Sequence, residues 1–157
     1  MKTSRILTNG IIIFLGIGVF FLFMELLGLS KNIYLRLINF VFVIYGVNRT
    51  LQQNHDEGNY GYYTNLAAGL LTSVSGLIMS VAAFLIYVSI QGGDIYLEKY
   101  HQSYLFGSGN PSMYQFGISL FLEGLAACAI TSFTLMQFWK DKDRKINAVD
   151  DVNHNSY

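Results

Sequence analysis

No charged residue interrupts the chain between Ile6 and Met24, and after Glu25 the apolar character resumes as far as Leu29. An α-helix rises about 1.5 Å per residue, so about 20 mostly apolar residues cross a hydrocarbon core of roughly 30 Å. This run meets that length and predicts a first membrane span over 8–29. Lys2 and Arg5 ahead of it resemble the charged opening of a signal peptide. The stretch Glu25-Leu26-Leu27-Gly28-Leu29 is a poor cleavage site, however, and the run reads as an uncleaved span.

The longest uncharged stretch extends from Gly58 to Gly93, and its apolar core, Leu66 to Ile90, predicts a span over 65–91. Met113 to Trp139 is broken only by Glu123 and predicts another over 112–139. The weakest segment lies between Ile33 and Thr50, where only Leu37 to Asn48 is free of charge. Arg36 stands near one end of it, so its long stem can carry the guanidinium to the interface. On that argument a further span is expected over 33–51.

The fold class expected is therefore all-α: an integral membrane four-helix bundle occupying residues 1–139. Residues 140–157 form a tail, basic and then polar, without periodicity, and are expected to be disordered in the cytoplasm. With four spans, Lys2, Arg5, Arg49, Lys140, Lys142, Arg144 and Lys145 share one side, while Lys31, Arg36 and Lys99 share the other. Short loops rich in Lys and Arg stay cytoplasmic, which predicts both ends in the cytoplasm. Tyr60, Tyr62, Tyr63, Phe138 and Trp139 then fall at the inner interface, and Tyr87 and Tyr114 at the outer one. In the outer loop Tyr96, Tyr100 and Tyr104 recur every four residues. That spacing predicts a short interfacial helix between spans 3 and 4, ended by the Gly107-Ser108-Gly109-Asn110-Pro111 turn.

Composition agrees: 52% of residues are hydrophobic and 13% charged, against roughly a quarter charged in soluble domains. A formal net charge of zero gives nucleic acid nothing to bind over long range. Cys128 is the single cysteine, which excludes an internal disulfide and a cysteine-based metal cage. His55, Asp56 and Glu57 are adjacent and lack ligand spacing, so they read as a solvated loop. No phosphate-cradling loop, nucleophile elbow or zinc-protease motif occurs, so neither a cofactor nor an enzymatic activity is expected.

Intramembrane polar residues are the remaining candidates, because charge in lipid is costly and marks function by default. Glu25 and Arg36 share a depth near the outer margin and are expected to pair. Glu123 lies ten residues past Met113, near the midplane. With no basic residue assigned to that depth, it is expected as a protonated carboxyl bonded to Ser80 or Asn39. Small residues at seven-residue spacing, Gly69 with Gly76, Ser73 with Ser80 and Gly117 with Gly124, together with Gly16 and Gly18, predict close helix packing.

The stretches Phe23-Met24-Glu25-Leu26-Leu27-Gly28-Leu29, Asn59-Tyr60-Gly61-Tyr62-Tyr63-Thr64 with Gly69-Leu70, and Gly93-Asp94-Ile95-Tyr96-Leu97 resemble a family of small four-span bacterial membrane proteins known as a domain of unknown function. The resemblance covers about Gly10 to Trp139. It implies the same topology and, since that family has no established activity, no site residues. The leading expectation is a non-enzymatic subunit that assembles with itself or with other membrane proteins in the bilayer. The alternative is a small proton- or cation-coupled transporter using a buried Glu. A membrane enzyme is disfavoured.

Overall fold

The protein's structure, a computed structural model, describes residues 2–30, 33–98 and 112–154, with side chains as far as Lys140. Every described element is a helix: α1 (Thr3–Leu26), α2 (Ile33–Arg36), α3 (Asn39–His55), α4 (Tyr62–Ile90), α5 (Asp94–Leu97) and α6 (Met113–His154). Three of these are long and apolar enough to cross a membrane: α1, α4 and the Met113–Lys140 part of α6.

The segment expected as a span over 33–51 takes a different form. It is divided at Leu37 and Ile38, where the amides of Leu37, Ile38, Phe40 and Val41 each bond the carbonyl three residues back. Such bonds tighten the helix locally and mark an interruption. One turn, α2, lies before the break. After it α3 runs past Arg49 to His55, and its 17 residues reach only about 25 Å at a rise of 1.5 Å.

Short as it is, α3 sits at the centre of the packing. It and α4 each pack against α1, α6 and one another, which leaves α1 and α6 at opposite corners of a rhombus. The directions alternate. Lys2 and Arg5 at the start of α1 reach Glu57 just after α3, Asn54 of α3 bonds Asn65 near the start of α4, and the Trp139 ring of α6 lies against His55. These groups define a basal end. At the distal end, Phe21 of α1 meets Phe84 and Tyr87 of α4, and Phe84 meets Phe116 of α6.

The basal half is tightly filled. Ile13, Val43, Val47, Leu51, Met136 and Trp139 form its buried core. Ile13 enters a notch between Gly46 and Gly76, where a Cβ on Gly76 would lie 2.9 Å from the Ile13 Cβ and 3.0 Å from the Gly10 carbonyl oxygen. The seven-residue pattern on α4 and α6 therefore marks real contacts: Gly69 faces Val47, Gly117 faces Leu85, and Gly124 faces Leu77. Gly10 and Gly46 complete the notch without belonging to that pattern.

Local signals terminate the helices. Gly28, at φ 70°, ends α1, and Leu29 N donates to the Met24 carbonyl across it at 2.9 Å; glycine takes this left-handed cap without a Cβ penalty. Ser112 and Gln115 form a reciprocal box at the start of α6, where Asp94 of α5 also accepts from Met113 N at 2.6 Å. Beyond Lys140, where an unstructured tail was expected, α6 continues as helix to His154. Of the expected interfacial helix only α5 is described; Tyr100, Tyr104 and the Gly107–Pro111 turn lie outside the described residues.

The notch can be tested by thermal unfolding in mild detergent. Gly76→Val should lower stability by about 1–3 kcal/mol through overpacking against Ile13 and the Gly10 backbone. Gly18→Ala, whose Cβ would meet nothing within 4 Å, should leave stability unchanged or raise it by up to about 1 kcal/mol. Similar losses in both variants would argue against the notch.

Candidate functional site

Polar side chains within the bundle sort into two groups, one in each half. In the basal half Asn9, Thr50, Thr72, Asn54 and Asn65 are all buried. Asn9 Nδ2 donates to Thr50 Oγ1 at 2.8 Å and to Gln53 Oε1 at 3.1 Å, and the Thr50 and Thr72 hydroxyls lie 3.0 Å apart. Below them Asn54 Nδ2 donates to Asn65 Oδ1 at 2.9 Å and receives Arg5 Nη1 on its own oxygen at 2.6 Å. Glu57 closes the ladder, holding Lys2 Nζ at 2.6 Å and Arg5 Nη2 at 2.7 Å. The rungs join α1, α3 and α4 and satisfy one another, as buried polar groups must. Their arrangement is that of interhelical fastening.

The distal half is built differently. Here α3 gives way to the break and to α2, so α1, α4 and α6 lose part of their fourth wall. A cavity of about 400 Å³ occupies the space. Phe14, Phe20 and Phe21 of α1, Phe40 of α3, and Phe84 and Tyr87 of α4 supply much of its wall. Ser73, which follows Thr72 of the ladder, lies among its lining residues together with Cys128. Its charged lining residues are Arg36 and Glu123.

Arg36 and Glu123 face each other, with Nη1 3.7 Å from Oε2. That is well beyond the roughly 2.8 Å of a charge-assisted hydrogen bond. The guanidinium carbon also lies 5.7 Å from the centre of the Phe116 ring, within cation–π range. The Glu123 side chain is 37% exposed and that of Arg36 20%.

Four of the five candidate residues thus gather at one place: Arg36, Asn39, Ser80 and Glu123 all line the cavity. Their pairings differ from expectation. Arg36 turns to Glu123, whereas Glu25 accepts a hydrogen bond from Tyr96 Oη at 2.8 Å. Matching depth alone had suggested Glu25 for Arg36; the break before α3 and the length of the arginine stem carry the guanidinium inward instead. Ser80 donates to the Gly76 carbonyl at 2.8 Å, one turn back on its own helix. Asn39 Oδ1 is a buried acceptor that receives no hydrogen bond among the described residues.

The sequence did not single out the basal ladder. Asn9 and Thr72 lie in uncharged runs and Thr50 among the polar residues that end α3, and only the spatial pairing of three helices reveals them as a set. His55 and Glu57, considered as a loop cluster, separate in space: His55 meets Tyr60 edge to face and Trp139 at a tilt, and Glu57 serves the ion pairs. Comparison with protein-family models, curated proteins and solved structures returns no match.

Hydrogen bonds from Lys2 and then Arg5 hold the Glu57 carboxyl below its ordinary range. A depressed folded pKa means that this stabilisation is fully present above the ordinary value of 4.5 and is lost as pH falls through the lowered value. Melting temperature measured from pH 7 downward should therefore contain a loss below about pH 4.5 that Glu57→Gln lacks. Identical profiles for the two proteins would show that the latch contributes nothing.

Proposed function

We propose that this chain is a non-enzymatic, multi-pass protein of the bacterial inner membrane that binds and carries a membrane-soluble small molecule. The cavity reaching Arg36 and Glu123 carries this reading. Its volume and mostly apolar lining with a few convergent polar groups are those of a ligand site. A subunit whose Glu123 served packing alone would enclose that carboxyl between helices, whereas here it lines open space.

In this reading α3, with α2 before it, is a fourth crossing. The alternation of helix directions supports it, because α3 returns to the end of the bundle from which α1 starts. The basal end, bearing Lys2, Arg5, Arg49 and Lys140, then faces the cytoplasm. This is also the topology implied by the resemblance to the four-span family. Single cysteines introduced at positions 3 and 150 should react with an impermeant reagent from the cytoplasmic side, and one at 106 from the other. Labelling of 3 and 150 from opposite sides would remove α3 as a crossing.

Ligand binding is tested by thermal shift across apolar and amphiphilic compounds. A ligand at a hundred times its Kd stabilises its target by about 2.7 kcal/mol. Gly18→Phe fills the cavity from a wall position where a Cβ meets nothing. It should fold and lose every such shift. Shifts that persist in Gly18→Phe would place binding elsewhere.

An assembly subunit is the second reading. It is favoured by α6, whose 42 residues far exceed the 28 of its apolar stretch. The helix thus continues past the membrane, where a partner could engage it. Co-purification of a second membrane protein in stoichiometric amount, lost on truncation after Lys140, would favour this reading over the first.

A further inference from the structure

Two side chains around the cavity, Glu123 and Asn39, present acceptor oxygens that no close hydrogen bond engages among the described residues. Glu123 offers two carboxylate oxygens, and among the described residues its ion-pair partner is Arg36, at 3.7 Å. The basal Glu57 shows what a closed pair looks like in this same chain, at 2.6 and 2.7 Å. Asn39, three residues beyond Arg36, adds a buried oxygen without a donor. The walls are rich in aromatic rings, whose faces attract cations at short range. Arg36 itself demonstrates the preference, since a planar, delocalised cation lies over Phe116 and beside Glu123.

Building on the carrier reading above, we propose that the molecule held in this cavity is a lipophilic organic cation, which takes the place of Arg36 against Glu123. An apolar body fills the cavity among α1, α3, α4 and α6, and its positive centre meets the carboxylate. Arg36 ends the single turn α2, joined to α3 through the break at Leu37 and Ile38. Its departure from Glu123 moves that turn and takes the guanidinium from the Phe116 ring, whose face the incoming cation can meet in its place. An anion fits the same lining poorly. It would compete with Glu123 for Arg36, the less exposed partner, and would place its charge beside a carboxylate.

Tetraphenylphosphonium and tetraphenylborate test the assignment, because they share shape and differ in the sign of their charge. Binding of each is measured by equilibrium dialysis against the purified protein in neutral detergent, with wild type, Gly18→Phe, Glu123→Gln, Arg36→Gln and the Glu123→Gln/Arg36→Gln double variant. The cation should bind wild type more tightly than the anion and should not bind Gly18→Phe. Glu123→Gln should weaken cation binding by about tenfold or more, the scale of one lost charged contact. Arg36→Gln, which removes the internal competitor, should tighten it by about three- to tenfold. The double variant leaves no unpaired charge and guards against misfolding of either single one; it should bind the cation as weakly as Glu123→Gln. Preference for tetraphenylborate, weakened by Arg36→Gln, would overturn the charge assignment and leave the carrier reading standing. So would a cation affinity indifferent to Glu123→Gln, or binding of neutral apolar compounds while both ions fail. Absence of binding by every compound would remove the carrier reading itself.

Discussion

A hydrogen bond between two side chains inside a membrane has no water competing for it, and the bundle hangs on such contacts at one depth. Asn9, Thr50 and Thr72 come from three helices and meet within 2.8 to 3.0 Å of one another in sequence along the ladder. Each such bond is worth no more than about 1–2 kcal/mol in a bilayer. Leaving any of these groups unpaired there costs several. The penalty, more than the gain, fixes the register. Once Asn9 must reach α3 and Thr50 must reach α4, the backbones of α1, α3 and α4 have to approach closely, and Gly10, Gly46 and Gly76 are the residues that permit it. Polar fastening and small-residue packing are thus one device seen from two sides.

What is tight at the basal end is loose at the distal end for the same reason. Above Thr72 no comparable rung joins three helices among the described residues. Aromatic rings keep the helices apart there, with Phe21, Phe84 and Phe116 bridging α1, α4 and α6 across centroid separations of 5.4 and 5.9 Å. Rings of that size space helices further apart than glycine does. With α3 already replaced by its break, they hold an open interior instead of filling it. The ion pair of Arg36 and Glu123 stands at the boundary between the two regimes, where the ladder has ended and the aromatic cluster has not yet closed the bundle.

Much of this is legible in the sequence, and the reasons for the rest are physical. Length and hydropathy locate α1, α4 and the apolar part of α6 because each rule rests on a property of single residues summed along the chain. The seven-residue glycine spacing on α4 and α6 is legible for a similar reason: it needs only the period of one helix. The break at Leu37 and Ile38 leaves no such trace, since neither residue is a helix breaker and the interruption depends on what α3 packs against. Helix rise places Ser80 at a depth similar to that of Glu123, and both line the cavity. The same arithmetic separates Arg36 from Glu123 and sets it beside Glu25, yet an arginine stem spans more than a helical turn and the partner it reaches is decided by the path of the backbone.

The composition of α3 explains how a helix can carry so many polar groups and still stand at the centre of a membrane bundle. Asn48, Thr50, Gln53 and Asn54 are each engaged by another helix: by Trp139 of α6, by Thr72 of α4, by Asn9 of α1, and by Arg5 and Asn65. Only the face of α3 enclosed by these three neighbours can carry polar groups, while Val41, Ile44 and Tyr45 stand exposed on the other, so length and hydropathy understate its place in the fold. The same enclosure limits it. Polar groups are affordable on α3 only where partners exist, and partners exist in the basal half. Where they run out, α3 gives way to the break at Leu37 and Ile38, and the space that a longer helix would have filled is left to the cavity.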